Sequence, residues 1–334
     1  MKRINVLTLI PLPNSIMAKI KAVSPRLNVI DASPLMPHFP PLNEPPDPQK
    51  EAQLDTLLAE AEILFGFSFP RGVVARAPEL KWVQTVSAGV DRTLTPDIAA
   101  SRVTLTNVSG MHAVPISELV FALILNHAKQ MGMAGRQQSA RKWERYATSI
   151  LEGKTLGILG LGNIGRRIAH LGKAFGMKVV ATRRHARGVG KARDVDSVYP
   201  PEQMNSLLAE SDYIVNCLPF TRETAKIIGQ AELRQMKPTA FLVNIGRGGT
   251  MDEEALVQAL KEKRLAGAGL DTLQKEPLPA ESPLWEMPGV IITPHISGAT
   301  DDYMEKAAAI FCENLVRYLG GKRLHNIVNK KLGY

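Results

Sequence analysis

The sequence predicts an α/β protein of two domains, a doubly wound parallel sheet inserted into a smaller α/β partner, and three observations carry that prediction. Short apolar runs alternate with helix-compatible stretches along most of the chain. One run near the middle leads directly into a glycine-rich turn and then a helix. The length, 334 residues, exceeds that of a usual single domain, so two cores are expected.

Taken in order, residues 6–10, 27–30, 63–67 and 82–86 read as strands of a parallel sheet. Between the second and third, residues 34–48 hold seven prolines and are expected to form an irregular surface loop. Gly66-Phe67-Ser68-Phe69-Pro70 and Ser87-Ala88-Gly89-Val90-Asp91 each follow a strand, where glycine either makes a simple turn or exposes backbone N–H groups to an anion. Residues 103–108 form another strand, closed by Ser109-Gly110. Residues 115–130 then carry the apolar stripe of a long helix, Ile116, Leu119, Val120, Leu123 and Ile124, with Glu118 in its first turn. Its apolar content suits packing between domains or between subunits. Trp143 follows in a polar, arginine-rich stretch.

The central run is Thr155-Leu156-Gly157-Ile158-Leu159, a buried strand, followed by Gly160, Gly162 and Gly165 as G-x-G-x-x-G around Asn163 and Ile164. Ile164, Ile168 and Leu171 recur at helical spacing. Strand, glycine turn and helix in that order are the context in which the motif signals dinucleotide binding: a tight turn, close approach of backbone to a pyrophosphate, and close helix–strand packing. The helix N-terminus then receives the phosphate charge. Further strands at 178–182, 213–218, 241–245, 268–271 and 290–293, with helices at 164–175, 202–209, 232–236 and 253–263, complete a six-stranded Rossmann sheet. Residues 302–319 form a last amphipathic helix, broken by Gly320-Gly321. The tail after Gly298 is too short to fold alone and is expected to pack back onto the first domain. The expected division is therefore 1–106 with 299–334, and 107–298.

Composition narrows the function. Hydrophobic residues make up 45% and charged residues 22%, as in ordinary soluble proteins. Cys217 and Cys312 stand far apart with no C-x-x-C, which argues against a disulfide framework or a zinc site and fits a reducing compartment, the cytoplasm. No metal is expected. Lys2-Arg3 before an apolar run faintly imitates a signal peptide, but Asn5 and Thr8 interrupt the run and Pro11 and Pro13 end it. No run approaches the roughly 20 apolar residues needed to span a membrane. The net charge of +9 is dispersed, with short concentrations at 136–145, 166–167 and 183–193. Without a basic tail or interleaved aromatics, no nucleic-acid partner is expected. A generally basic surface accounts for the charge; a field favouring anionic ligands is the other reading.

In an NAD site the end of the second strand carries an acid, about 20 residues after the glycines, that accepts bonds from the ribose hydroxyls. Here Val180-Ala181-Thr182-Arg183-Arg184-His185 contains none. Arg183 and Arg184 offer forked donors to a 2′-phosphate, so NADP(H) is expected in preference to NAD(H); a solvated basic turn indifferent to the phosphate is the alternative. Three more polar residues stand at strand ends: Arg247 in Asn244-Ile245-Gly246-Arg247-Gly248-Gly249, Glu276 after 270–275, and His295 after Thr293-Pro294. Parallel order brings such loops to one sheet edge. Reduction of a 2-keto acid needs a fixed cation for the carboxylate, which a guanidinium supplies by bidentate pairing. It also needs a proton donor for the carbonyl oxygen, a task suited to imidazole. A carboxylate beside an imidazole orients it and favours its charged form. Taken singly, each of the three also has a purely structural reading.

Residues 158–165, 216–224, 244–249 with Asp252-Glu253, 270–277 and 293–296, in this order and spacing, resemble the D-isomer-specific 2-hydroxyacid dehydrogenase family, and the resemblance covers nearly the whole chain. It implies that Arg247, Glu276 and His295 are catalytic. It also implies a flavodoxin-like substrate domain built from both chain ends, a cleft between domains, and a homodimer formed largely through the cofactor domain. Leu218, Pro219, Thr224, Ile245, Asp271 and Gly298 would line the cofactor, and Ser87, Ala88 and Gly89 would present backbone to the substrate carboxylate. Two departures limit the carry-over: the arginines at 183–184, and His112 and Ala113, where many members differ. His112 is read as a loop histidine. The expected activity is NADPH-dependent reduction of a short 2-keto acid, glyoxylate or hydroxypyruvate, to the 2-hydroxy acid, with neither nucleic acid nor membrane as partner. The rivals are a phosphoglycerate dehydrogenase, of the short kind because the regulatory domain many of those enzymes append is not expected here, and a corepressor-like dinucleotide-binding protein without turnover.

Overall fold

The computed structural model describes residues 3–36 and 47–333. They fall into two compact units, Met1–Met111 with Thr300–Tyr334, and His112–Ala299.

In the first unit, β1 (Ile4–Thr8), β2 (Leu27–Asp31), β3 (Ile63–Gly66), β4 (Trp82–Thr85) and β5 (Thr104–Thr106) form a parallel sheet in the order β2-β1-β3-β4-β5. That is the flavodoxin-like doubly wound order. Every residue of β3 and β4 is buried, as expected where helices cover both faces of a parallel sheet. On one face, Ile16 and Ile20 of helix Asn14–Ala22 pack with Phe65, Trp82 and Phe311. Phe311 comes from helix Tyr303–Leu319 and stacks on Phe65 at 4.3 Å, so the last helix completes this core. The segment after it returns to the sheet, where the Val328 N–H donates to the Leu105 carbonyl at 2.9 Å. Of the proline-rich stretch, Pro34 lies in the 3-10 turn Ser33–Leu35, and Pro48 opens helix Pro48–Ala59, capped by the Asp47 carboxylate on the Gln49 N–H. The irregular loop expected between them, 37–46, lies outside the described residues.

The second unit contains β6 (Thr155–Leu159), β7 (Lys178–Thr182), β8 (Gly190–Ala192), β9 (Val195–Tyr199), β10 (Tyr213–Asn216), β11 (Phe241–Asn244), β12 (Gly267–Leu270) and β13 (Val290–Ile292). Their order is β13-β12-β11-β10-β6-β7-β9-β8, parallel except for β8. With β6 counted first, this is the Rossmann order 3-2-1-4-5-6 extended at both edges. The sequence predicts six strands here; β8 and β9 are additional. They escape a hydropathy reading because Gly-Lys-Ala and Val-Asp-Ser-Val-Tyr hold no apolar run, and their pairing depends on Asp194 at φ +59° in the turn between them. The long helix spans Ala113–Lys129, beginning two residues before the expected 115, because a proline in the first turn needs no donor there. Gln130 ends it at φ +52°. The following helix, Met131–Ser139, has no buried residue, and Trp143 beyond it is 97% exposed. Among the described residues, no helix is long and apolar enough to cross a membrane.

Candidate active site

The hydrogen-bond register of the second sheet sets Ile292, Leu270, Asn244, Asn216, Leu159 and Thr182 in one row across β13, β12, β11, β10, β6 and β7. The residues that follow each therefore emerge along a single edge, the carboxyl edge at which open α/β sheets bind ligands. His295, Asp271, Arg247, Leu218, Gly160 and Arg183 stand on it in that order.

The glycine turn divides its tasks. Gly160 adopts φ +99°, a conformation that other residues resist, and its N–H donates to the Thr182 hydroxyl at 3.2 Å. Gly162 is exposed, and a Cβ built on it would meet nothing within 4 Å. Gly165 lies in helix Asn163–Ala174, where a Cβ would overlap the Gly160 carbonyl oxygen. An open backbone at the N-terminus of a three-turn helix with no acid in its first turn fits a dinucleotide pyrophosphate. Exposed Asn163 and half-buried Ile164 begin that helix. Arg183 and Arg184 follow β7 directly and are exposed. Arg184 Nη2 lies 3.5 Å from Glu223 Oε1, in the loop after β10. That loop also carries Leu218, Pro219 and Thr224, and the Thr224 hydroxyl donates to the Pro219 carbonyl at 2.6 Å.

Beneath the edge lies a polar network that sequence reasoning misses. Asn216 Nδ2 donates to Asn244 Oδ1 (2.9 Å) and to the Thr250 hydroxyl (2.7 Å), while its Oδ1 accepts from the Leu218 N–H (3.2 Å). Asn244 Nδ2 donates to the Thr272 carbonyl, and the Thr250 hydroxyl to the Arg247 carbonyl at 2.6 Å. Asn216, Asn244 and Thr250 are fully buried. Such groups are tolerated in a core only when satisfied, and here that satisfaction pins the loops of three neighbouring strands. The signal was present as an Asn closing each of the apolar strands Tyr-Ile-Val-Asn and Phe-Leu-Val-Asn. Ile245 is buried beside this network. A Cβ on Gly248 would overlap the Leu273 carbonyl, so the Arg247 turn lies directly on the backbone leading to Glu276. Arg247 itself is partly exposed, its Nη1 donating to the Gly246 carbonyl at 2.9 Å.

Two carboxylates position the imidazole. Glu276 accepts the Leu273 N–H on Oε1 (3.1 Å) and meets His295 Nδ1 on Oε2 at 2.8 Å. Asp271 is buried and holds the loop on both sides of His295. Its Oδ1 accepts from the Thr293 hydroxyl (2.6 Å) and the Ile296 N–H (2.9 Å), and its Oδ2 from the Ser297 N–H (3.0 Å). His295 adopts φ +53°, left-handed and uncommon for a side-chain-bearing residue, and the Asp271 clamp sustains it. Ser87, Ala88 and Gly89 belong to the first unit, in the loop after β4. There the Ser87 hydroxyl donates to the Gly89 carbonyl (2.6 Å) and Asn107 Nδ2 to the Ala88 carbonyl (2.8 Å).

His112 lies in a turn, the loop position expected of it, but a buried one. It stands at the N-cap position of helix Ala113–Lys129, only 7% exposed, against Gly298, where a Cβ would come within 2.8 Å of its ring. Burial, assisted by the Arg247 charge, pushes its pKa down to about 4. The fold thus favours the neutral ring. Its contribution to stability is complete above the ordinary value of 6.5 and is lost as pH falls through 4. At about 1.4 kcal/mol per unit, the loss is on the order of 3 kcal/mol. Urea midpoints measured from pH 7 to pH 4 should fall less steeply for His112→Gln than for the parent chain; equal slopes would remove His112 from the acid response.

Edge, glycine cradle and paired acid and imidazole define a dinucleotide-dependent oxidoreductase. A family model for the D-isomer specific 2-hydroxyacid dehydrogenase NAD binding domain matches residues 121–297. The chain is 36% identical over 295 residues to a glyoxylate reductase of Aeropyrum pernix, covering 83% of this chain and 87% of that one. It is 32% identical to a D-3-phosphoglycerate dehydrogenase of Methanocaldococcus jannaschii, spanning 84% of this chain but 54% of that relative. Among solved structures, a D-isomer specific 2-hydroxyacid dehydrogenase family protein of Aeromonas salmonicida superposes with a TM-score of 0.84 at 34% identity, over 98% of this chain and 100% of that one. An NADPH-dependent glyoxylate/hydroxypyruvate reductase of Sinorhizobium meliloti, in complex with NADP and sulfate, gives 0.82 at 26% identity, over 99% and 100%. The chain belongs to the D-isomer-specific 2-hydroxyacid dehydrogenase family, whose members are NAD(P)-dependent oxidoreductases.

Proposed function

We propose that this protein reduces a short 2-keto acid, glyoxylate or hydroxypyruvate, to the D-2-hydroxy acid with NADPH, and the observation that carries the reading is the 2.8 Å His295–Glu276 pair on the sheet edge that also bears the glycine turn. Arg247 holds the substrate carboxylate through its guanidinium fork, set by a turn packed against the loop of Glu276. Glu276 on Nδ1 fixes the ring so that Nε2 faces the substrate and delivers its proton to the carbonyl oxygen as that atom gains charge. The nicotinamide, when bound, supplies the hydride to the keto carbon. Gly160, Gly162, Gly165 and the start of the following helix hold the pyrophosphate; Leu218, Pro219, Thr224, Ile245, Asp271 and Gly298 border the rest.

NADP(H) rather than NAD(H) is supported by Arg183 and Arg184 where an acid would otherwise stand, and by the name of the S. meliloti relative. A homodimer is supported by the well-exposed apolar side chains of Met131, Trp143 and Ile150, which follow the long helix of the cofactor-binding unit within twenty residues of one another. The likeness to a phosphoglycerate dehydrogenase keeps that activity as the second reading. Loss of NADPH absorbance should be rapid with glyoxylate or hydroxypyruvate and slow with larger keto acids. Preference for a phosphorylated keto acid would install the second reading, and no turnover across the panel would leave a binding protein.

A further inference from the structure

We propose that Glu223 stands in for the cofactor's 2′-phosphate on Arg184 and thereby limits how strongly the site prefers NADP(H) to NAD(H). The inference rests on the NADP(H) reading above and deepens it. β7 and β10 are the two neighbours of β6, so the loops after them flank the glycine turn on either side. The Arg184–Glu223 pair, at 3.5 Å, joins those loops. Glu223 is presented by its own turn: the Thr221 hydroxyl donates to its Oε2 at 2.9 Å, the Thr221 N–H to the Thr224 hydroxyl at 2.8 Å, and that hydroxyl to the Pro219 carbonyl. The carboxylate missing from the end of β7 thus arrives from the loop after β10.

The pair is built to yield. Arg184 is 40% and Glu223 68% exposed, and an ion pair this open and this long contributes little to stability. A phosphate monoester, with nearly two negative charges and three acceptor oxygens, outcompetes a single carboxylate for the guanidinium fork. A ribose with free hydroxyls does not, so Arg184 stays on Glu223 when NAD(H) binds. NADP(H) must therefore displace a carboxylate from Arg184 before the phosphate can pair there, which weakens its binding without touching NAD(H).

Fluorescence titration of the full-length protein with NADPH and with NADH, without substrate, tests this. Glu223→Gln should tighten NADPH by about three- to fivefold, leave NADH nearly unchanged, and lose that advantage at high salt, where exposed charges are screened. In an Arg184→Ala background the same change should have little effect. An unchanged NADPH-to-NADH ratio for Glu223→Gln would overturn the stand-in role, and so would a gain that persists without Arg184, since that is plain repulsion. Arg183→Ala reads the underlying assignment separately. A loss of NADPH affinity there with no Glu223 effect would reject this inference alone, whereas no loss for either arginine would reject the NADP(H) reading with it.

Discussion

His295→Ala lowers turnover of the keto acid by about 10²- to 10⁴-fold, the range ascribed to a positioned general acid, while NADPH binding stays close to that of the parent. The separation follows from where the residue sits. His295 belongs to the loop after β13, four strands from the glycine turn after β6. Removing the ring therefore takes away the group proposed as proton donor without disturbing the cradle. The loop itself keeps its shape, because Asp271 grips it through Thr293, Ile296 and Ser297 and makes no bond to the imidazole. Left-handed backbone at 295 suits Ala less well than His, so the Asp271 grip is what keeps the loop in place in the variant. Stopped assays with NADPH, alongside fluorescence titration of the cofactor, check both halves. Turnover near the parental value would sink the assignment, and a parallel loss of NADPH binding would point to a collapsed edge instead.

How much of this was legible beforehand depends on the physics of each feature. The glycine turn could be read from three positions because each glycine answers a local demand: a positive φ, an open backbone, a helix too close to a strand for a Cβ. The order of Arg247, Glu276 and His295 along one edge was equally legible, since parallel strands send every following loop to the same side. The Asn216–Asn244–Thr250 network was not. Its members are 28 and 34 residues apart, and an Asn closing Tyr-Ile-Val-Asn flags a buried polar group without naming the partner it meets. Asp271 was assigned to the cofactor by resemblance, and its three bonds to the 293–297 loop come from residues more than twenty positions away. β8 and β9 lacked any apolar pattern to read. His112 does lie in a turn, but its burial against Gly298 is a tertiary fact that no local pattern shows. Local rules were readable, and long-range polar satisfaction was not.

Arg247→Ala reduces kcat/KM by roughly 10- to 150-fold, the loss expected when a charge-assisted contact to a carboxylate worth about 1.5–3 kcal/mol is removed. Arg247→Lys divides that loss into its parts. Lysine restores the charge but not the planar fork, so a bidentate role predicts that most of the deficit remains, and a purely electrostatic one predicts recovery. A second readout reports whether the charge still reaches the interior. Burial is the larger cause of the depressed His112 titration and the Arg247 charge the smaller. Removing the guanidinium therefore raises the folded-state value from about 4 without restoring it to 6.5. A smaller gap between folded and unfolded values means less stability lost on acidification. Arg247→Ala should accordingly flatten the fall in urea midpoint between pH 6.5 and pH 4, and Arg247→Lys should keep it. Catalytic loss with an unchanged acid response in both variants would mean that the guanidinium serves the substrate but lies too far from His112 to act on it. Loss of the acid response with full activity would remove Arg247 from the substrate and leave it a structural cation.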